Sequence, residues 1–156
     1  MRDNTPDTPG VIAPPPFIYF GILTIGLLLS VVFPVAFLPI GLRLVFGVPL
    51  IGLGILGMSS AFNAIRRAGT SVDPYEPTKT IVTDGPYRLT RNPIYLSFAI
   101  VYLGIALLLS AVWAVLLLPI ALAIIDRGVI VREEKYLERK FGEEYVRYKA
   151  QVRRWI

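Results

Sequence analysis

Two polar segments contain the residues of this chain that could perform chemistry. The first is GPYRLTRNPIY, residues 85–95, called here the GPY segment, and the second is REEKYLERKFGEEYVRY, residues 132–148. The chain has no cysteine and no histidine, which excludes thiol nucleophiles, thiolate or imidazole metal ligands and an imidazole base. Carboxylates, tyrosines and water remain for acid–base chemistry, and we expect no metal site.

Apolar helices must position these two segments. Hydrophobic residues make up 54% of the chain and charged residues 17%, with a mean hydropathy of +0.62, which is typical of an integral membrane protein. Charge-free stretches occupy residues 8–42, 44–65 and 92–125. About 20 apolar residues cross a bilayer as a helix, so the last stretch is too long for one span. A weak polar break at residues 109–111 divides it into a tight helical hairpin.

We therefore predict an all-α integral membrane protein whose last two spans form that hairpin and whose C-terminus is an amphipathic cytoplasmic arm. The four predicted spans are residues 17–33, 44–65, 93–109 and 112–131. They are connected to a Pro-rich, disordered cytoplasmic tail (1–16), a cytoplasmic loop (66–92) and the C-terminal arm (132–156). Residues 17–156 are predicted to form a single membrane domain.

The basic residues predict the orientation. Five of the 16 lysines and arginines lie between residues 63 and 93, and nine follow residue 125. By the positive-inside rule, both termini and both polar segments face the cytoplasm, on the inner membrane if the source is prokaryotic. The net charge of +5 is then explained by orientation and by contact with anionic lipids, and no nucleic-acid-binding module is recognisable.

Helix signals surround the polar segments. Asn92 and Pro93 are typical of a helix N-cap followed by proline at the first helical position. In the arm, apolar residues recur at helical spacing, which predicts a helix lying on lipid or on the ends of the spans, with a break at Gly142. The members of this apolar stripe are Leu137, Phe141, Tyr145, Tyr148 and Val152.

Glu133 and Glu134 are adjacent acids just beyond the last span. Neighbouring residues on a helix point about 100° apart, so we expect at most one of them to face a buried site. Acids in a charged helix are usually solvated. Their position at the membrane surface, beside the GPY segment, favours a functional role for one of them.

The order and spacing of these motifs resemble the isoprenylcysteine carboxyl methyltransferase family and its phospholipid methyltransferase relatives. Those proteins show a GPY-x-x-x-R-H-P-x-Y segment, a glycine-containing step in the next helix, a Glu-Glu pair and a closing F-G-x-x-Y-x-x-Y pattern. The resemblance covers about residues 83–155. It implies a methyltransferase that binds S-adenosylmethionine at the cytoplasmic ends of the last two spans, beneath the C-terminal arm.

The resemblance also implies roles for individual residues around the cofactor. Arg91 would pair with the cofactor carboxylate or with an anionic substrate head group. Glu133 or Glu134 would hold the cofactor ammonium or its ribose hydroxyls. Tyr87 and Tyr95 would line the pocket, where aromatic faces stabilise a sulfonium. Arg91 and Glu133 are the candidate catalytic residues.

Four further residues are assigned with this resemblance. Gly104 matches the small-residue step at which a cofactor approaches the helix backbone, although packing between spans is the better explanation of this glycine taken alone. Asn92 stands where the family usually has histidine. Its amide can donate and accept hydrogen bonds without titrating, either toward the cofactor or as the helix cap. Tyr148 and Arg153 are the candidate substrate-binding residues.

The predicted reaction is in-line transfer of the sulfonium methyl group to a lipophilic acceptor that arrives from the lipid side. A prenylated-cysteine carboxylate needs no general base, whereas a lipid amine must first lose a proton to Glu133, Glu134, a tyrosine or water. The sequence leaves the acceptor open.

Two other functions fit the same residues. Membrane sterol and steroid reductases have a similar C-terminal arrangement, which makes an NADPH-dependent reductase an alternative. A non-enzymatic membrane scaffold is the other, with a basic arm that binds anionic lipid and motifs that serve as turns, caps and interfacial anchors.

Overall fold

Every regular element in the computed structural model is a helix. The structure describes residues 8–71 and 76–156, and it contains no strand within them. The long helices are α1 (Pro15–Val32), α2 (Ile40–Arg67), α3 (Pro93–Leu108), α4 (Val112–Ile125), α5 (Val131–Phe141) and α6 (Glu143–Gln151). A 3₁₀ turn (Gly85–Arg88) precedes α3, and a π-helical segment (Asp126–Ile130) joins α4 to α5.

Three helices within the described residues are long and apolar enough to cross a membrane. They are α1, α2 and the continuous helix Val112–Phe141 that α4, the π segment and α5 build together. The helix α3 is equally apolar but has only 16 residues. The all-helical fold with candidate membrane spans is thus confirmed for the described residues, and the number of spans, including the crossing of the membrane by α3, stays a prediction.

Helices α2 and α3 pack along each other, and α1 packs along α4. Glycines allow the first pair a close approach. A Cβ added to Gly104 would lie 2.8 Å from the Ile51 side chain and 3.0 Å from the carbonyl oxygen of Gly47. This is the small-residue packing that membrane helices use, and it places Gly104 against α2.

The turn between α3 and α4 confirms the predicted hairpin. Helix α3 ends at Leu108, Ser110 adopts a left-handed φ of 52°, and α4 begins at Val112. Tyr102, which is almost fully buried, donates a hydrogen bond from its hydroxyl to the carbonyl of Ala114 at 2.9 Å. The two arms of the hairpin are therefore joined within the core as well as at the turn.

The C-terminal arm begins as a direct continuation of the last long helix. Helix α5 starts at Val131, without a break after the π segment. Gly142, with a φ of 55°, separates α5 from α6, as the sequence predicts. Left-handed backbone favours glycine, so this position ends one helix and begins the next.

The described part of the N-terminal tail packs on this helix. Val11 is buried, and the N–H of Ile12 donates to the carbonyl of Gly128 at 3.3 Å. Nη1 of Arg132 donates to the carbonyl of Gly10 at 2.9 Å. Residues 8–14 therefore belong to the folded unit, while residues 1–7 of the tail that we predict to be disordered lie outside the described residues.

Candidate functional site

A cleft lies at the end of the bundle where the GPY segment, the start of α5 and α6 meet. The space outside its atoms, part of it open to solvent, amounts to about 900 Å³. The structure places there Tyr87, Arg91, Asn92, Tyr95, Glu133, Glu134 and Tyr148. All the residues that the sequence suggests for the cofactor line this cleft, with the exception of Gly104.

Arg91 is a buried cation at the centre of the cleft. Its side chain is 9% exposed, and Nη1 lies 3.2 Å from Oε1 of Glu134, which is also buried. The two groups form an ion pair without an aligned hydrogen bond, and neither Nε nor Nη1 of Arg91 has a hydrogen-bond partner among the described residues. Buried donors are nearly always satisfied, so this guanidinium retains capacity for an anionic ligand.

Glu134 is held mainly by a second arginine. Arg154 donates from Nε to Oε1 at 3.0 Å and from Nη2 to Oε2 at 2.7 Å, and its Nη1 lies 3.1 Å from both carboxylate oxygens of Asp126. The hydrogen bond to Glu134 raises the pKa of the Arg154 guanidinium above its ordinary value, so Arg154 stays charged. Two arginines, Arg91 and Arg154, thus face two carboxylates, Glu134 and Asp126, and the charges balance.

Glu133 faces the other side of the cleft. Tyr95 donates its hydroxyl hydrogen to Oε1 of Glu133 at 2.6 Å, and no cation among the described residues pairs with this carboxylate. The prediction that only one of the two glutamates faces the site is wrong, because the cleft extends around the helix. Helix α3 contacts Glu133 on one side, and Arg154 reaches Glu134 from the other.

Three tyrosines outside the spans complete the walls. Tyr148 donates to the carbonyl of Tyr87 at 2.8 Å, and its ring centroid lies 6.1 Å from that of Tyr145. Burial raises the pKa of Tyr148 to about 12, with Arg91 opposing the shift. Burial also raises the pKa values of both Tyr87 and Tyr145 well above the ordinary value of a tyrosine. These phenols remain neutral at physiological pH and offer aromatic faces and hydrogen-bond donors, not a base.

The last residues of the chain, 152–156, cross the GPY segment and are called here the C-terminal strap. The Arg91 N–H donates to the carbonyl of Arg153 at 3.0 Å. Thr90 Oγ1 and Asn92 Nδ2 both donate to the carbonyl of Arg154, at 3.0 and 2.9 Å. Asn92 does occupy the N-cap position of α3, but its side chain makes no capping hydrogen bond. Its amide binds the strap instead.

Two residues predicted for the site lie elsewhere, and several were missed. Gly104 packs against α2, and the Arg153 side chain is exposed and does not line the cleft. Arg154, the neighbour of Arg153, makes the ion pairs with Glu134 and Asp126. Trp155 donates from Nε1 to Asp126 at 3.2 Å. Asp126 was visible in the sequence as a charge that closes the apolar run. Nothing in the spacing of the strap distinguishes Arg154 from Arg153.

The family model for phospholipid methyltransferases matches residues 42–144. The chain belongs to the phospholipid methyltransferase family. An uncharacterised protein of Haemophilus influenzae is 46% identical over 63 residues, which cover 40% of this chain and all of that protein. The protein-S-isoprenylcysteine O-methyltransferase of Schizosaccharomyces pombe is 33% identical over 107 residues, covering 65% of this chain and 45% of the relative.

A third relative has a different kind of name. The cobalt-zinc-cadmium resistance protein CzcN of Cupriavidus metallidurans is 31% identical over 100 residues, 63% of this chain and 46% of that protein. The chain thus spans less than half the length of the yeast and Cupriavidus proteins. No solved structure matches the chain.

The family relation confirms the resemblance seen in the motifs. Together with the apolar helices, it indicates a membrane protein of a methyltransferase family. The matched range ends at residue 144, so Tyr145, Tyr148 and the C-terminal strap lie beyond it. Within residues 8–71 and 76–156, no cluster of acidic side chains could hold a metal ion.

Proposed function

We propose that the cleft binds S-adenosylmethionine and that the protein transfers its methyl group to a lipophilic acceptor entering from the bilayer. Such an acceptor is a prenylated-cysteine-like carboxylate or a lipid head group. The observation that carries the proposal is the buried Arg91 guanidinium, whose Nε and Nη1 lack hydrogen-bond partners among the described residues. An anion inside the cleft would satisfy them.

The residues present fit the cofactor group by group. Arg91 suits the carboxylate of its amino-acid part. Glu133, which pairs with no cation in residues 8–71 and 76–156, suits the ammonium. The rings of Tyr87, Tyr145 and Tyr148 suit the positively charged sulfur. When bound, the cofactor would supply an electrophilic methyl group. The roles assigned to these residues remain proposals.

The protein's own part in the reaction is mainly positioning. Orientation of two reactants accounts for a large share of the barrier reduction in such transfers. A carboxylate acceptor would need no base. For an amine acceptor, the carboxylate of Glu133 is the group available to take a proton, because Tyr148 and its neighbours stay neutral. A substrate contact by Tyr148, which lines the cleft, is part of the proposal, whereas Arg153 is exposed outside the cleft and has no part in it.

The orientation of the cleft toward the cytoplasm is also proposed. The N-terminal segment, the GPY segment and the C-terminal strap lie at one end of the bundle, and nearly all lysines and arginines lie in or near these segments. The positive-inside rule then supports cytoplasmic termini and a cytoplasmic site. Exposed basic residues on α5 would meet anionic lipid head groups there.

Calorimetry with S-adenosylhomocysteine on the purified protein in detergent tests this function. The wild type should bind, and Arg91→Gln should weaken binding about tenfold or more, because a hydrogen-bonded charge pair is lost. Arg88→Gln is the matched control, since Arg88 is exposed on the preceding 3₁₀ turn, and it should bind like the wild type.

Each part of the proposal can fail separately. If the folded wild type does not bind S-adenosylhomocysteine, the proposed cofactor is wrong, and tighter binding of NADPH would favour a reductase. If wild type and Arg91→Gln bind equally well, the cofactor stands but the assignment of Arg91 to its carboxylate does not.

A further inference from the structure

We infer that Arg154 is a positioning residue, which holds Glu134 so that Arg91 stays available for the carboxylate of the bound cofactor. This inference rests on the proposed function. It concerns a residue beyond the range that the family model matches. Arg154 does not line the cleft, so any effect on the ligand passes through its neighbours.

The hydrogen bonds to Glu134 are unequal. Arg154 reaches Oε2 at 2.7 Å and Oε1 at 3.0 Å, in the parallel geometry that makes arginine–carboxylate pairs strong. Arg91 approaches Oε1 at 3.2 Å without an aligned hydrogen bond. Glu134 is therefore satisfied by Arg154, and Arg91 lies beside it with donors left over.

The strap fixes Arg154 relative to Arg91. Thr90 and Asn92, the two neighbours of Arg91 in sequence, both donate to the carbonyl of Arg154. Arg91 itself donates its N–H to the carbonyl of Arg153. Three consecutive residues thus bind one short stretch of backbone, so the spacing between the two guanidinium groups is set by main-chain contacts.

A second carboxylate prevents the Arg154 side chain from turning away. Its Nη1 lies 3.1 Å from both oxygens of Asp126, which also accepts a hydrogen bond from Trp155. The guanidinium is held between Asp126 at the end of α4 and Glu134 on α5. The charges of the two arginines and the two carboxylates balance, so what Arg91 retains is hydrogen-bond donors without partners among the described residues.

Loss of Arg154 should redirect Arg91. Glu134 would then have Arg91 at 3.2 Å and Lys149 at 4.0 Å as its remaining cations. A buried carboxylate attracts the nearest cation strongly, because the surroundings screen charge poorly. Arg91 would turn its free donors to Glu134, and they would no longer be available to a ligand carboxylate.

Two ligands that differ only in that carboxylate test the inference. They are S-adenosylhomocysteine and its decarboxylated analogue, which keeps the nucleoside, the thioether and the amine. Arg154→Gln should weaken binding of S-adenosylhomocysteine about tenfold or more, while it changes binding of the analogue less than about twofold. Arg147→Gln removes the same charge from an exposed position on α6 and should leave both affinities unchanged.

Arg154→Lys separates charge from geometry. A lysine keeps the positive charge but cannot make the paired hydrogen bonds to Glu134 while also reaching Asp126. This variant should fall between wild type and Arg154→Gln for S-adenosylhomocysteine, and it provides the test if the glutamine variant does not fold.

Several results would overturn the inference. They are equal weakening of both ligands, no weakening of either, loss of the fold in both variants, or a wild type that binds the two ligands equally. The first and third would mean that Arg154 only stabilises the fold. Failure of the wild type to bind S-adenosylhomocysteine at all would instead reject the proposed function.

Discussion

The two ends of the helical bundle treat their polar groups differently. At the end that contains the α3–α4 turn, Ser110 Oγ accepts hydrogen bonds from the N–H groups of Phe37 and Leu38, both at 3.4 Å. Trp113 Nε1 donates to the carbonyl of Phe33 at 2.9 Å, and Arg43 Nε donates to Leu38 at 2.7 Å. Each of these polar side chains makes at least one hydrogen bond with nearby backbone.

The opposite end leaves donors unused at its centre. Arg91 is buried with two nitrogens that lack hydrogen-bond partners among the described residues, and Glu133 has a tyrosine but no cation beside it. A protein gains nothing in stability from such groups, since an unsatisfied buried donor costs about 1 to 3 kcal/mol. This difference supports the proposal above that one end closes the fold and the other receives a ligand.

The largest effect is expected from Glu134→Gln. Removing this carboxylate leaves Arg91 and Arg154 without their shared counter-ion and should lower the free energy of unfolding by about 3 to 5 kcal/mol. Glu138→Gln is the control, because Glu138 and Lys149 are each more than one third exposed, and such ion pairs contribute less than about 1 kcal/mol. Unfolding in mild detergent measures both, and equal stability of the two variants would contradict the central role of Glu134.

Gly104→Ala distinguishes span packing from a cofactor step. The added Cβ would press on the Ile51 side chain and the Gly47 carbonyl, so the free energy of unfolding should fall by about 1 to 3 kcal/mol. Affinity for S-adenosylhomocysteine per folded molecule should not change. Gly52→Ala, whose Cβ meets nothing within 4 Å, should be neutral or stabilising by up to about 1 kcal/mol. A loss of affinity confined to Gly104→Ala would place the cofactor beside that helix after all.

The smallest effects are expected from removing one hydrogen bond at each end of the bundle. Trp113→Phe removes the bond to Phe33, and Tyr148→Phe removes the bond to Tyr87. Each should cost about 1 kcal/mol of stability. Only Tyr148→Phe should also weaken S-adenosylhomocysteine binding, by about fivefold, because Tyr148 is a wall of the cleft. Equal affinities in a calorimetric titration would remove the distinction between the ends.

Local sequence predicted the elements whose signals are local. Ser110 marked the hairpin turn, Pro93 marked the start of α3, and Gly142 marked the break before α6, and the structure confirms all three. Proline and glycine restrict or permit particular backbone angles by themselves. Such signals need no knowledge of what packs nearby.

The composition of the site was largely predictable, whereas its pairing was not. Arg91 and the two glutamates are motif residues, and they line the cleft. The choice of Arg154 over Arg153 depends on the strap, where adjacent side chains point to opposite sides and tertiary hydrogen bonds set the register. No sequence pattern predicts that Asn92 binds the strap, because Asn92 and Arg154 are 62 positions apart in the sequence.

The π-helical segment Asp126–Ile130 gives the last long helix a change of phase. A π turn takes one residue more than an α turn, and one residue corresponds to a rotation of about 100°. Deleting a single residue there would keep every side chain of the cleft in the sequence. It would rotate the side chains of α5 about the helix axis by about 100° relative to α4, so that Glu134 no longer met Arg91. The cleft can therefore be lost by changing only the rotational phase of one helix, without any change to the groups that form it.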